Sequence, residues 1–157
     1  GHSAGAHLVA LLGASPARAL KLGARPWLGT VLLDSAALDV VMIMEVKHAR
    51  FYDRAFGSDS AYWRAASPFH VLSDDATPFL AVCSTRRGDA CSQASRFVSK
   101  AKSITGRASV LEQDLSHMDI NQRLGTEGGY TDAVDAFMGA LDESVMQALT
   151  NHSRGPR

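Results

Sequence analysis

Three residues of this chain have the types and the chain order needed for nucleophilic acyl transfer: Ser3, Asp89 and His117. Ser3 is the centre of Gly1-His2-Ser3-Ala4-Gly5, a G-x-S-x-G pentapeptide. A serine in this pattern sits on a sharp strand-to-helix turn, where glycines two residues to either side relieve crowding and let the hydroxyl project above the sheet edge. The hydroxyl is a poor nucleophile at neutral pH, so a histidine must take its proton and later return it to the leaving group. A carboxylate behind the imidazole fixes the tautomer and stabilises the imidazolium. Ser3, His117 and Asp89 fill these roles in the order nucleophile, acid, base, and the Ala4 amide at the start of the following helix is the expected oxyanion donor.

Each assignment has rivals. His2 lies inside the pentapeptide, His7 on the helix after it, His48 and His70 in a long connecting segment, and His152 in the tail; His117 alone follows a final strand after the acid. Asp89 lies in the loop Thr85-Arg86-Arg87-Gly88-Asp89-Ala90-Cys91 and is preferred on chain position. Asp34, which ends an earlier strand, is the alternative acid, while Asp119 and Asn121 are read as holding the loop beyond His117 by local side-chain bonds.

These residues need a scaffold that brings three distant loops together, and the pattern of the chain supplies one. Ala4 to Leu12 is almost entirely Ala, Leu, Val and Gly, which predicts a helix buried on nearly every face and stopping near Gly13. Ser15-Pro16 caps a short helix to Leu22, with Gly23 as its stop. Trp27–Leu33, Phe79–Ser84 and a weaker segment that opens with Ala108–Glu112 and ends near Leu115 read as strands. Between the last two, Ala94, Phe97, Val98, Ala101 and Ile104 recur at helical spacing within Ser92 to Ile104. Thr131 is expected to cap a final helix whose apolar stripe runs from Val134 through Leu141 to Leu149, leaving residues 151–157 as a frayed tail. Strands alternating with helices imply an α/β class domain with a parallel sheet, whose C-terminal strand ends form the functional edge.

The balance of 16 basic against 16 acidic residues gives no electrostatic case for nucleic acid or an anionic membrane. No apolar run reaches the ~18 residues of a membrane span. No His/Cys/carboxylate cluster suggests a metal, and no motif asks for a cofactor. Cys83 and Cys91 flank the acid loop: Cys83 suits a small buried hydrophobe with a free thiol, whereas a bridge would tie the loop down and point to an oxidising compartment such as a periplasm rather than the cytoplasm. Neither the compartment nor the oligomeric state is fixed by the sequence.

With these residues in view, the chain resembles the C-terminal portion of an alpha/beta-hydrolase of the esterase/lipase type, near carboxylesterases and arylformamidase-like enzymes. The resemblance rests on Gly1 to His7, Asp34 to Asp39, Ala66-Ser67-Pro68 with Leu72, Gln93 and His117, and so spans nearly all of residues 1–157 as one partial domain. It implies that Ser3 follows the family's fifth strand, that the three strands here are the sixth to eighth, and that the earlier strands are missing. With them would go the glycine-rich loop that completes the oxyanion hole. Residues 35–77 would form a cap-like insertion carrying Phe51, Tyr52, Phe56, Tyr62 and Trp63. The implied activity is hydrolysis of a small carboxylic ester, or of an amide or formamide, through an acyl-enzyme and without a cofactor. The alternative expectation is a non-catalytic fragment that needs its missing half.

Overall fold

The computed structural model of the protein describes residues 1–153. Three parallel strands, β1 (Thr30–Leu33), β2 (Phe79–Ser84) and β3 (Ala108–Gln113), form one sheet in the order β1-β2-β3. Thr30 pairs with Phe79 at one end of β1 and Leu33 with Val82 at the other, while β3 pairs with β2 from Ala108 opposite Phe79 to Gln113 opposite Ser84. Residues 1–3 lie along the free side of β1. The Leu33 amide donates to the Gly1 carbonyl at 2.8 Å, the Ser3 amide donates to Leu33 at 2.9 Å, and His2 forms a parallel bridge with Leu33. The pentapeptide therefore enters its turn from a strand-like register at the sheet edge.

Central β2 is buried along its whole length, as its uninterrupted apolar run requires of a strand covered on both faces. Its side chains alternate between two cores. Phe79, Ala81 and Cys83 face helices α1 (Ala4–Ala14) and α7 (Ala90–Thr105), where Phe79 meets Phe97 edge to face at 4.9 Å. Leu80 and Val82 face Ile120 of α8 (His117–Gln122) and Val134 of α9 (Gly129–Gly139).

Helix α1 buries one stripe rather than every face. Ala6, Ala10 and Ala14, four residues apart, are fully covered, whereas Leu8 and Leu12 on the opposite side are 59% and 49% exposed. Gly13 does not stop this helix but lies within it, because a Cβ there would stand 2.6 Å from the Thr30 hydroxyl oxygen and 2.9 Å from the Phe79 ring. Helix α2 (Pro16–Lys21) forms as the Ser-Pro signal predicts, although the Ser15 side chain makes no capping bond. Strand β1 is shorter than its apolar run. Trp27 to Gly29 stay outside it, and the Trp27 indole donates to the Thr30 hydroxyl at 3.3 Å.

The segment from Ser35 to Thr77 contains α3 (Val40–Met44), α4 (Arg50–Phe56), α5 (Ser60–Ala65) and α6 (Pro68–Val71), with Asp39 and Asp59 capping α3 and α5. A small core of Ala37, Val40, Met44, Phe56 and Ala66 joins α3, α4 and α5, while Phe69 and Val71 of α6 pack on the core shared by α1 and α7. The expected last helix is two helices, α9 and α10 (Glu143–Ser153). The break allows α10 to fold back, with Met146 packed beside Gly139, where an added Cβ would lie 3.4 Å from the Met146 Cβ in ordinary contact. Thr131 lies inside α9 rather than capping it, and its hydroxyl donates to the Thr126 carbonyl at 2.6 Å. Of the expected tail, residues 151–153 continue α10, and residues 154–157 lie outside the described residues.

Candidate active site

Ser3 occupies the residue between the strand-like entry and α1, with φ 55° and ψ −120°. A non-glycine residue at positive φ is uncommon and costs on the order of 1–3 kcal/mol, so the surrounding structure must impose it. Gly1 is one reason it can. A Cβ on Gly1 would stand 2.6 Å from the Gly5 carbonyl oxygen, so the close approach of entry and helix requires glycine there. Gly5 carries no such demand, since a Cβ on it would meet nothing within 4 Å. The Ala4 amide opens α1 and, like the other first-turn amides, has no partner within the helix.

Among the described residues, the one other non-glycine at positive φ is Asp34, also at 55°, directly after β1. Its amide donates to the Val82 carbonyl at 2.8 Å, and its Oδ1 accepts from the Ser84 amide at 2.8 Å. Its Oδ2 accepts from Arg87 Nη1 at 2.8 Å and lies 2.6 Å from His117 Nδ1. The side chain has no solvent exposure. Burial alone would push this carboxyl up, but the bonds from Arg87, His117 and the Ser84 amide outweigh it and hold Asp34 below the ordinary carboxylate range. The carboxylate is therefore ionised at neutral pH. The proton in the 2.6 Å contact then belongs to Nδ1, which leaves His117 Nε2 as the basic nitrogen.

His117 is the first residue of α8. Ser116 caps the helix through the Asp119 amide, and the Ser84 hydroxyl donates to Leu115 at 2.6 Å, tying the loop before His117 to β2. The Tyr130 hydroxyl donates to Ile120 at 2.8 Å from the other side, and burial and the Asp34 charge push its phenol up to about 12. His2, next to Ser3 in the chain, donates from Nε2 to the His117 carbonyl at 2.8 Å and packs its ring 4.4 Å from the His117 ring. The turn bearing Ser3 and the loop bearing His117 are thus in direct contact.

Asp89 stands apart from this cluster. It precedes α7, its side chain is 61% exposed, and its nearest charged partner is Arg87 Nη2 at 3.9 Å. The structure brings Asp34, the sequence alternative, to His117, and does not bring Asp89 there. Of the remaining histidines in the body of the chain, His7 donates from Nδ1 to the Ala37 carbonyl at 2.6 Å, and burial lowers its pKa. His48 pairs with Asp53 at 3.0 Å and His70 with Asp39 at 3.2 Å.

Cys83 and Cys91 form a disulfide with Cα atoms 5.1 Å apart, the second of the two alternatives the sequence leaves open. The distance arises because β2 ends and α7 begins on adjacent sides of the same loop, within ordinary bridging range. That loop carries Arg87, to which the sequence pattern assigns no role. Nor does any sequence signal mark His2 as a contact of His117. Nothing in composition or spacing distinguishes Arg87 from its neighbour Arg86, whose guanidinium pairs with exposed Asp114 at 2.7 Å.

A cavity of about 390 Å³ opens beside Ser3 and Ala4 and is walled by Leu8, Phe51, Tyr52, Phe56 and Tyr62. A second hollow of about 770 Å³, between α3, α4 and the Arg87 loop, shares Phe51, Tyr52 and Arg87 with the first. Among the described residues no group of three His, Cys, Asp or Glu side chains is placed to hold a metal ion, and no helix is long and apolar enough to cross a membrane. Comparison with protein-family models, with curated proteins and with solved structures finds no match to this chain.

Proposed function

We propose that this protein is a serine hydrolase of the alpha/beta-hydrolase type that cleaves small carboxylic esters, or amides of similar size, through an acyl-enzyme on Ser3. The observation that carries the reading is the coincidence of a strained serine at the head of α1 with a buried Asp34 bonded to a half-buried His117 in the neighbouring loops. The Ser3 hydroxyl attacks the substrate carbonyl and passes its proton to His117 Nε2. His117 then gives that proton to the leaving group, and a water deprotonated by the same nitrogen releases the acyl group. Asp34 holds the Nδ1 proton and stabilises the imidazolium, which makes Asp34 rather than Asp89 the acid. The Ala4 amide donates to the developing oxyanion, a contact worth about 3–4 kcal/mol in comparable sites.

The apolar and aromatic walls beside Ser3 suit an uncharged acyl or aryl group, which would lie against Phe51, Tyr52 and Tyr62. A fluorophosphonate probe tests the assignment. Ser3 is expected to form a phosphonyl adduct, located by peptide mapping, and Ser3→Ala to abolish it. An unmodified Ser3, with the probe on another residue or on none, sinks the proposal for this chain.

The exposed Leu8 and Leu12, together with a β1 edge met among the described residues only by residues 1–3, favour a second reading in which catalysis requires further polypeptide against that edge. Labelling of Ser3 only when additional sequence precedes Gly1 is the outcome that selects it.

A further inference from the structure

We infer that Arg87 is a positioning residue of this site, gripping Asp34 by main chain and side chain at once so that its carboxylate faces His117 and the charge on the pair stays fixed. The inference rests on the proposed hydrolase site and adds to it a residue outside the triad. One guanidinium nitrogen, Nη1, lies 2.8 Å from Asp34 Oδ2, 3.0 Å from the Asp34 carbonyl oxygen and 3.0 Å from His117 Nδ1. The first two contacts are hydrogen bonds to a residue held at positive φ. In that conformation the Asp34 carbonyl and carboxylate converge on one donor, so Arg87 stabilises the backbone geometry that aims the acid. The third contact is not a hydrogen bond, since Nδ1 already donates to Asp34, but it sets a positive charge beside the imidazole.

That charge has a predictable consequence. Protonating His117 places a second cation next to Arg87, and the resulting repulsion offsets part of the attraction from Asp34. The other groups around His117 do not replace this effect. Asp89 reaches Arg87 only at 3.9 Å and from solvent, and Asp119 on α8 is engaged by Ser116 and by Arg123 at 3.5 Å. Arg86 and Asp114 pair with each other, the Tyr130 phenol is neutral, and the His2 ring packs against His117 at a tilt without an ion pair. Arg87 is held in place from behind, because the Cys83–Cys91 bridge closes the loop that bears it.

The test uses the full chain with Arg87→Gln and Arg87→Met, which remove the charge, and Arg87→Lys, which keeps it without the two-point grip. Two profiles are recorded against pH: the rate of phosphonate labelling at Ser3, and the titration of the His117 Hε1 proton resonance. Removing the charge is expected to move the acidic midpoint of both profiles up by about one pH unit, with labelling at neutral pH slower by about tenfold or more. Lys should hold the midpoint near that of the parent while leaving the rate reduced. A merely structural arginine would lower the rate in all three variants without moving the midpoint, and that result, in either neutral variant that folds, overturns the inference. If the parent chain fails to label but its His117 resonance still moves on loss of Arg87, the hydrolase reading is refuted and the positioning of the Asp34–His117 pair stands.

Discussion

Replacing Asp34 and Asp89 separately by Asn distinguishes the acid that chain order favours, Asp89, from the one that lies against His117, Asp34. In Asp34→Asn the amide oxygen retains the Ser84 amide as its donor, a bond of 2.8 Å in the parent, which turns the new NH₂ toward both His117 Nδ1 and Arg87. Nδ1 must then accept rather than donate. The ring proton moves to Nε2, which can no longer take the Ser3 proton. A comparable carboxylate-to-amide exchange in a serine triad lowers turnover by roughly 10⁴, or about 5 kcal/mol at 1.36 kcal/mol per factor of ten. The same exchange strands the Arg87 charge, and because that guanidinium is 30% exposed the stability loss should be about 1–3 kcal/mol, below that of a fully buried pair. Asp89→Asn removes one 3.9 Å contact from a side chain that is 61% exposed, so its effect should be under about 0.5 kcal/mol, or less than threefold in rate. The assay is the second-order rate of fluorophosphonate labelling at Ser3, with urea midpoints taken on the same samples. If labelling survives in Asp34→Asn within tenfold of the parent and is lost in Asp89→Asn, the argument from the 2.6 Å contact fails.

Asp34 also predicts a pH dependence of stability. Its folded pKa lies below the unfolded value of about 3.9, so its stabilisation is complete above that pH and is lost as pH falls through the folded pKa. Asp34→Asn should accordingly flatten the loss of urea stability below about pH 4. His7 has the other sign of charge but the same direction of effect: burial lowers its folded pKa, so stability falls as pH drops below the unfolded value of about 6.5, and His7→Gln should weaken that slope between about pH 7 and 5. Without reductant the denatured chain should show no titratable thiol, and Cys83→Ala with Cys91→Ala should cost about 2.5 kcal/mol from loop entropy at a sequence separation of 8, read from the urea midpoint. Gly13→Ala should cost about 1–3 kcal/mol in the same measurement, since its methyl meets Thr30, Thr77 and Phe79 at under 3 Å; a midpoint equal to the parent's would mean that α1 sits farther from the sheet.

Those elements whose signal is local were legible in the sequence. Phe79–Ser84 reads as a covered strand because six residues without a charge can be satisfied only by burial on both faces, and the structure ends β2 at the same residues. The Ala94–Phe97–Val98–Ala101 stripe likewise lies against the sheet within α7. Tertiary contacts decide the rest. Trp27 to Gly29 extend the apolar run before β1, but Gly29 is committed to a close contact with Leu141, 2.7 Å from where its Cβ would be. The apolar stripe from Val134 to Leu149 is continuous in period, yet the chain breaks at residues 140–142, where α9 keeps Val134 against the sheet and α10 folds back to set Met146 beside Gly139.

The site follows the same division, and the choice between acids shows why. Asp89 and Asp34 both follow parallel strands, and helical or strand periodicity carries no information on where a carboxylate points once a strand has ended. The direction of Asp34 comes from a single left-handed residue, stabilised by an amide of β2 and a guanidinium from the loop after it. Aspartate tolerates that conformation better than most residues, but tolerance is not a signal that it is adopted. Ser3 and Asp34 are the two non-glycine residues among those described that pay for positive φ, and they stand at the ends of adjacent strand-like segments, each joined to the β1–β2 edge by backbone bonds. Strain at these two points, with His117 contacted by His2 on one side and bonded to Asp34 on the other, is the feature on which the proposed acyl-transfer site rests. It follows that relaxing Asp34 alone, by substituting a residue that cannot make the Arg87 and Ser84 bonds, should release both strained segments together, because they share the β1 terminus.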